Sequence, residues 1–157
     1  MLTSVDSAGA AARAGPRPRY SRLEIAIAPA AVRIARRWAA GQLAAAEPPP
    51  GDETVDEAVL VVSELVTNAI AATRAAGPAA WQRVWLVIAR GDETVRIEVH
   101  DGSAVPLPPP GCGGPARHGN GHDNEGGRGL GVVAALAAGW GWQPGPLGKV
   151  VWCELKG

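Results

Sequence analysis

The chain has 157 residues, enough for one domain of ordinary size that buries a sizeable core, and too few for a second full domain. Its 15 basic and 15 acidic residues cancel with no long run of either sign, which argues against a nucleic-acid groove or an anionic membrane surface. No apolar run approaches the roughly 20 residues of a membrane span, and no signal core follows Met1, so the cytoplasm is the expected compartment.

Residues 1–19, rich in Ala, Gly, Ser and Pro and without any period, are expected to form a disordered leader ahead of a single domain over 20–157. Arg22 to Ile27 alternates polar with apolar residues, as a half-buried strand does. Pro29 opens a helix from Ala30 to about Ala45, with Val32, Ile34, Ala35, Trp38 and Leu43 offering an apolar side. A proline-rich link then leads to the longest predicted helix, Thr54 to Ala76. Asp52 and Glu53 stand before its N-terminus, where negative charge is favoured, and Gly77-Pro78 ends it. Val55, Val59, Leu60, Val62, Leu65, Val66, Ala69 and Ile70 recur at the helical period and form its buried stripe.

Trp81 to Arg90 and Val95 to His100 read as a β-hairpin around Gly91–Thr94, its second strand ending at Asp101-Gly102. Residues 103–128 are dense in Pro and Gly with few large apolar side chains; a stretch of this length is expected to act as a mobile lid or to be disordered. Gly129 to Ala138 is a short apolar helix, and Trp140 to Gln143 with Lys149 to Leu155 reads as a closing hairpin. The element order β, α, α, β, β, lid, α, β, β predicts an α+β two-layer sandwich: a mostly antiparallel mixed sheet covered on one face by helices. Cys112 and Cys153 make no secreted disulfide framework and are expected to be free thiols.

Three stretches could carry chemistry, and each has a plainer reading beside it. Glu64 and Asn68 are four residues apart on the long helix, so they stack on one face about 6 Å apart and could hold a water or a cation. With Glu53 and Glu57 they also read as an ordinary solvated face, the commoner case for an amphipathic helix taken alone. Asp101, followed by Gly102 and Ser103, puts a carboxylate at a strand end, where it could accept a hydrogen bond from an exocyclic amine and favour adenine over guanine; Asp-Gly is also a common turn pair. Glu125 to Gly131 runs glycine-rich into a helix, a cradle for phosphate with Arg128 adding charge, or a flexible linker. Cys112, His118, His122 and Asp123 could ligate zinc, but Gly119 and Gly121 disfavour the helix that would align the histidines, and solvated loop residues are the preferred reading.

In combination the motifs are specific. SELVTNA at 63–69, VHDGS at 99–103, GGRGLGVVAALA at 126–137 and GKVVWCEL at 148–155 closely resemble the stand-alone ATP-binding regulators of the anti-sigma-factor serine/threonine kinase type. Those proteins sit in the superfamily of histidine kinases, gyrase B and a heat-shock chaperone, which has the Bergerat-type ATP-binding fold. The resemblance covers residues 20–156. It implies ATP and Mg²⁺ as cofactors, with Glu64 as general base toward a serine or threonine hydroxyl and Asn68 as the Mg²⁺ ligand. It further implies Asp101 as the adenine-reading carboxylate with Ser103 beside it, and Gly127, Arg128, Gly129 and Leu130 as the segment wrapping the phosphates. The implied partners are a small anti-anti-sigma-type protein and a sigma factor. Homodimers are common among such proteins, although no interface can be read here.

The chain departs from that pattern in four places. Ala71 and Ala72 stand where relatives commonly carry Arg-His, Ala104 replaces a frequent Pro, Val150 replaces a frequent Thr that helps bind adenine through water, and the lid is unusually rich in Pro and Gly. These departures motivate an alternative: a catalytically inactive, nucleotide-gated protein-binding module of the same fold. A detached catalytic half of a histidine kinase fits less well, because the residues ahead of the first strand are too few for a dimerising phosphoacceptor helix pair.

Overall fold

The computed structural model describes residues 19–107 and 126–157. The expected leader, apart from Arg19, and most of the expected lid lie outside the described residues, as do Cys112, His118, His122 and Asp123. The described elements are β1 (Arg19–Ala26), α1 (Ala31–Ala44), α2 (Asp52–Ala75), β2 (Arg83–Arg90), β3 (Thr94–Asp101), α3 (Gly126–Leu136), β4 (Gly139–Gly145) and β5 (Gly148–Lys156). The five strands form one sheet in the order β1-β2-β3-β5-β4, with every neighbouring pair antiparallel. The α+β sandwich is therefore as expected, while the anticipated mixture of pairings is absent among the described strands. Two elements intervene between β1 and β2 and again between β3 and β5, so each time the chain returns running the other way.

The alternation of side chains along a strand divides the sheet into a dry face and an open one. On the dry face Leu86 stands opposite Val99, Ile88 opposite Ile97, Ile97 opposite Cys153 and Val95 opposite Leu155, and all seven are buried. The open face carries Trp85 and Trp152, each covered by a guanidinium: Arg22 lies 4.8 Å from the centre of the Trp85 ring and Arg96 4.4 Å from that of Trp152. Arg96 also reaches Glu98 at 2.7 Å and Glu154 at 2.8 Å. Charged groups laid over the indoles let one side of this sheet face water without a second helical layer.

Helix α2 is the element that both halves of the fold share, packing on α1, α3 and the central strands. Its stripe of Ala58, Val61, Val62, Leu65, Val66, Ala69 and Ile70 is buried against the sheet, whereas Leu60, expected in that stripe, is 44% exposed. Asp52 and Glu53 turn out to be the first helical turn itself, following an extended Gly51, and so lie where the helix dipole favours carboxylates. At the other end Gly77 takes φ 83°, the left-handed conformation that only glycine adopts without strain, and Pro78 prevents the helix from continuing.

Helix α1 contacts α2 through Ala31, Ala35, Ala39 and Leu43, a line of mostly methyl-sized side chains that allows close approach. Ile34, expected on its apolar side, is 49% exposed, because a four-residue step from Ala31 leaves position 34 on the water side. The core is continuous from α1 through α2 and the sheet to Val133 of α3.

Candidate functional site

A cavity of about 170 Å³ opens between α2, the ends of β3 and β5, and α3, lined by Leu65, Asn68, Ala69, Ala71, Ala72, Asp101, Leu107, Leu130, Lys149 and Val151. Pockets that swallow a whole drug-sized molecule run to roughly 300–1,000 Å³. The space bounded by the described residues therefore suits a ring system, with any longer ligand continuing beyond it.

Asp101 ends β3 on the dry face and is only 2% exposed. Its Oδ1 accepts two hydrogen bonds, from the Ser103 backbone N–H at 2.8 Å and from the Lys149 ammonium at 3.0 Å. Among the described residues Oδ2 has no donor, and the side chain borders the cavity. Burial pushes the carboxyl above its ordinary value, against the opposing pull of Lys149 and the Ser103 N–H. Gly102 follows because nothing larger fits: a Cβ there would run into the Trp81 backbone. Its N–H donates to Thr73 Oγ1 at 3.3 Å, tying this turn to α2. Ser103 is buried yet does not line the cavity; its Oγ accepts from the Val105 N–H at 3.2 Å and holds the first turn of the departing segment.

Glu64 and Asn68 share one face of α2, and Gly129 of α3 stands directly over them. A Cβ built on Gly129 would lie 2.5 Å from Glu64 Oε2 and 3.3 Å from Asn68 Nδ2. The bare backbone of α3 thus touches the acid and amide of α2, and Leu130, next along, lines the cavity with Asn68. Among the described residues Asn68 Nδ2 is buried without a hydrogen-bond partner. An unsatisfied buried amide is costly, about 1–3 kcal/mol, and marks a place where a ligand group is wanted. A half-turn of the same amide would present Oδ1 there instead.

The glycine run is positioned differently from expectation. Helix α3 begins at Gly126, three residues early, so Gly127 and Arg128 occupy its first turn rather than a loop. The side chain of Arg128 falls outside what the structure describes. A second difference concerns β5. Val150 pairs with His100 on the opposite side of the sheet, whereas Lys149 pairs with Asp101 on the cavity side. The missing Thr at 150 is thus no loss to the cavity, and the residue that occupies the decisive position is Lys149. Sequence reasoning overlooked it; the signal was the period-two set Lys149, Val151, Cys153, Leu155, which puts one charge on a buried face. Ala71 and Ala72, by contrast, do line the cavity, and bring only methyl groups to it.

The family model of the histidine kinase-like ATPase domain matches residues 25–154, and the chain belongs to that family. No curated protein matches the sequence. Membership makes ATP the implied ligand, and the residues fit it: an apolar slot ending on a carboxylate with a spare lone pair suits an adenine, and an amide without a partner among the described residues, lying under the bare backbone of Gly129, suits phosphate with its metal. Among the described residues no cluster of three or more His, Cys, Asp or Glu could hold a metal. Among the described helices none is long and apolar enough to cross a membrane.

Proposed function

We propose that this protein is an ATP- and Mg²⁺-dependent protein serine/threonine kinase of the anti-sigma type, acting on a small anti-anti-sigma-type partner and able to hold that partner or a sigma factor without chemistry. The observation that carries this reading is that Gly129 stands against Glu64 and Asn68, and that Asn68 lines the same cavity as Asp101.

Each residue then has one task. Asp101 Oδ2 accepts from the exocyclic amine, and Leu65, Leu107, Leu130 and Val151 shield the ring from water. Asn68, with its amide oxygen turned into the cavity, would hold Mg²⁺. The first amides of α3 point at the phosphates with a favourable dipole, and Gly129 lets them approach α2 closely. Glu64 accepts the proton from the partner's hydroxyl as that oxygen bonds to phosphorus. ATP supplies the γ-phosphoryl group and ADP departs with the electrons of the broken bond; bound Mg²⁺ would offset charge on the phosphate oxygens.

The test is incubation of the protein with γ-radiolabelled ATP and candidate partners from the native host. Label on a partner serine or threonine, lost in Glu64→Gln while nucleotide still binds, is the expected result. Tight ATP binding without transfer to any partner would instead favour a nucleotide-gated binding module. The methyl groups of Ala71 and Ala72 in the cavity favour that second reading, since they leave the phosphates less polar support.

A further inference from the structure

Lys149 lies in the stretch GKVVWCEL without an implied role of its own, and among the described residues it is the most deeply buried cation. It is 3% exposed, lines the cavity, and donates to Asp101 Oδ1 at 3.0 Å. An ammonium carries three donors. Among the described residues only one of the three has a partner, and apart from Asp101 and Asn68 the residues that line the cavity with it are all apolar. A buried ammonium with spare donors is as incomplete as a buried carboxylate with a spare lone pair, and here the two lie side by side.

The adjacent edge atoms of adenine are an amine that donates, N6, and a ring nitrogen that accepts, N1. Asp101 Oδ2 beside Lys149 Nζ is an acceptor next to a donor, the complement of that edge. Guanine presents the reverse, with O6 accepting and N1–H donating. In the same orientation it would set O6 against the carboxylate and N1–H against the ammonium, two mismatches beside groups that are almost wholly buried. We propose that Lys149 is a base-reading residue that donates directly to adenine N1 and, paired with Asp101, excludes guanine. The proposal rests on the cavity being the nucleotide site, and it adds a second reader to the single carboxylate found there.

The experiment measures equilibrium binding of ATP, 1-deaza-ATP (N1 replaced by C–H) and GTP to the full chain by calorimetry, for the unaltered protein, Lys149→Met and Lys149→Gln. For the unaltered protein, ATP should bind about 10- to 100-fold more tightly than 1-deaza-ATP, the range expected when a charged donor loses its acceptor. In Lys149→Met the two should bind within about twofold of each other, and the gap between ATP and GTP should narrow by about tenfold, because one mismatch has gone. Lys149→Gln keeps an N–H donor without the charge and should retain part of the preference for ATP over the deaza analogue. Thermal melts of each variant without nucleotide separate loss of recognition from loss of folding. Equal affinities of the unaltered protein for ATP and 1-deaza-ATP would overturn the role of Lys149 and leave the nucleotide site standing. Absence of binding by all three nucleotides would remove the site itself.

Discussion

Gly129 stands so close to Glu64 that a single methyl group on its Cα would fall 2.5 Å from the carboxylate oxygen Oε2. The obstacle is the far end of a flexible side chain, which can swing aside, and the position lies inside α3, where alanine is favoured over glycine by about 1 kcal/mol. Gly129→Ala should therefore leave the melting temperature unchanged or raise it by a few degrees. The displaced Glu64 should nevertheless cost at least about tenfold in phosphoryl transfer to a partner. A melt and a transfer assay on the same preparation check the two halves of this expectation.

The Lys149–Asp101 pair sits almost wholly out of water, with side chains 3% and 1% exposed. Breaking such a pair strands a buried charge, which typically costs about 3–5 kcal/mol, whereas replacing both partners by apolar groups of similar volume is often neutral. Asp101→Leu alone, by leaving the ammonium unpaired, should destabilise strongly, and Asp101→Leu with Lys149→Met should recover most of the loss. Urea denaturation of the two single variants and the double variant closes the cycle; equal destabilisation by the double and the singles would show that the pair is not the cause.

Acid should act on Asp101 in a defined direction. Burial raises its folded pKa above the unfolded value, so between those values the folded state holds the proton more often than the unfolded chain does. The slope of stability against pH is then negative for this group: its contribution is present below the unfolded pKa and is lost as pH rises through the folded one. Asp101→Asn removes the titration. The stability of the unaltered protein relative to this variant should fall as pH rises, measured by denaturant melts between about pH 3 and 7. ATP affinity should move the opposite way, rising with pH across the same window as the carboxylate becomes the acceptor the amine needs.

Cys153 lies on the dry face of β5, fully buried, and burial pushes its thiol up to about 12. The thiolate is the reactive form, so neither access nor ionisation favours modification of the folded protein. In a Cys112→Ser background, a thiol reagent at mild alkaline pH should label the native protein only as fast as it unfolds. Labelling that is rapid and insensitive to added denaturant would contradict this packing.

Much of the site was legible because its parts obey short-range rules. Glu64 and Asn68 follow from the helical four-residue step, Asp101 from its place at a strand end, and Gly129 from the need for bare backbone beside a charged ligand. Lys149 was not legible for the opposite reason. Its significance depends on the register Asp101↔Lys149 between two strands separated by a helix and a further strand, and a local window around GKVVWCEL contains none of that. The same limit explains Ile34 and Leu60, apolar residues at helical spacing that face water because the neighbouring helix and sheet are engaged by other positions. The early start of α3 was hidden by glycines, whose low helix propensity suggests loop until tertiary contacts with α2 decide otherwise.

The methyl-lined seam between α1 and α2 has a mechanical corollary. Ala31, Ala35 and Ala39 leave no side-chain bulk to compress, and the opposite side of α2 is seated on the sheet, so the helix bearing Glu64 and Asn68 is gripped on two sides. Helix α3 has far fewer anchors, meeting chiefly α2 and β4 among the described elements. Admission of a nucleotide should accordingly be accommodated by α3 riding over a stationary anvil.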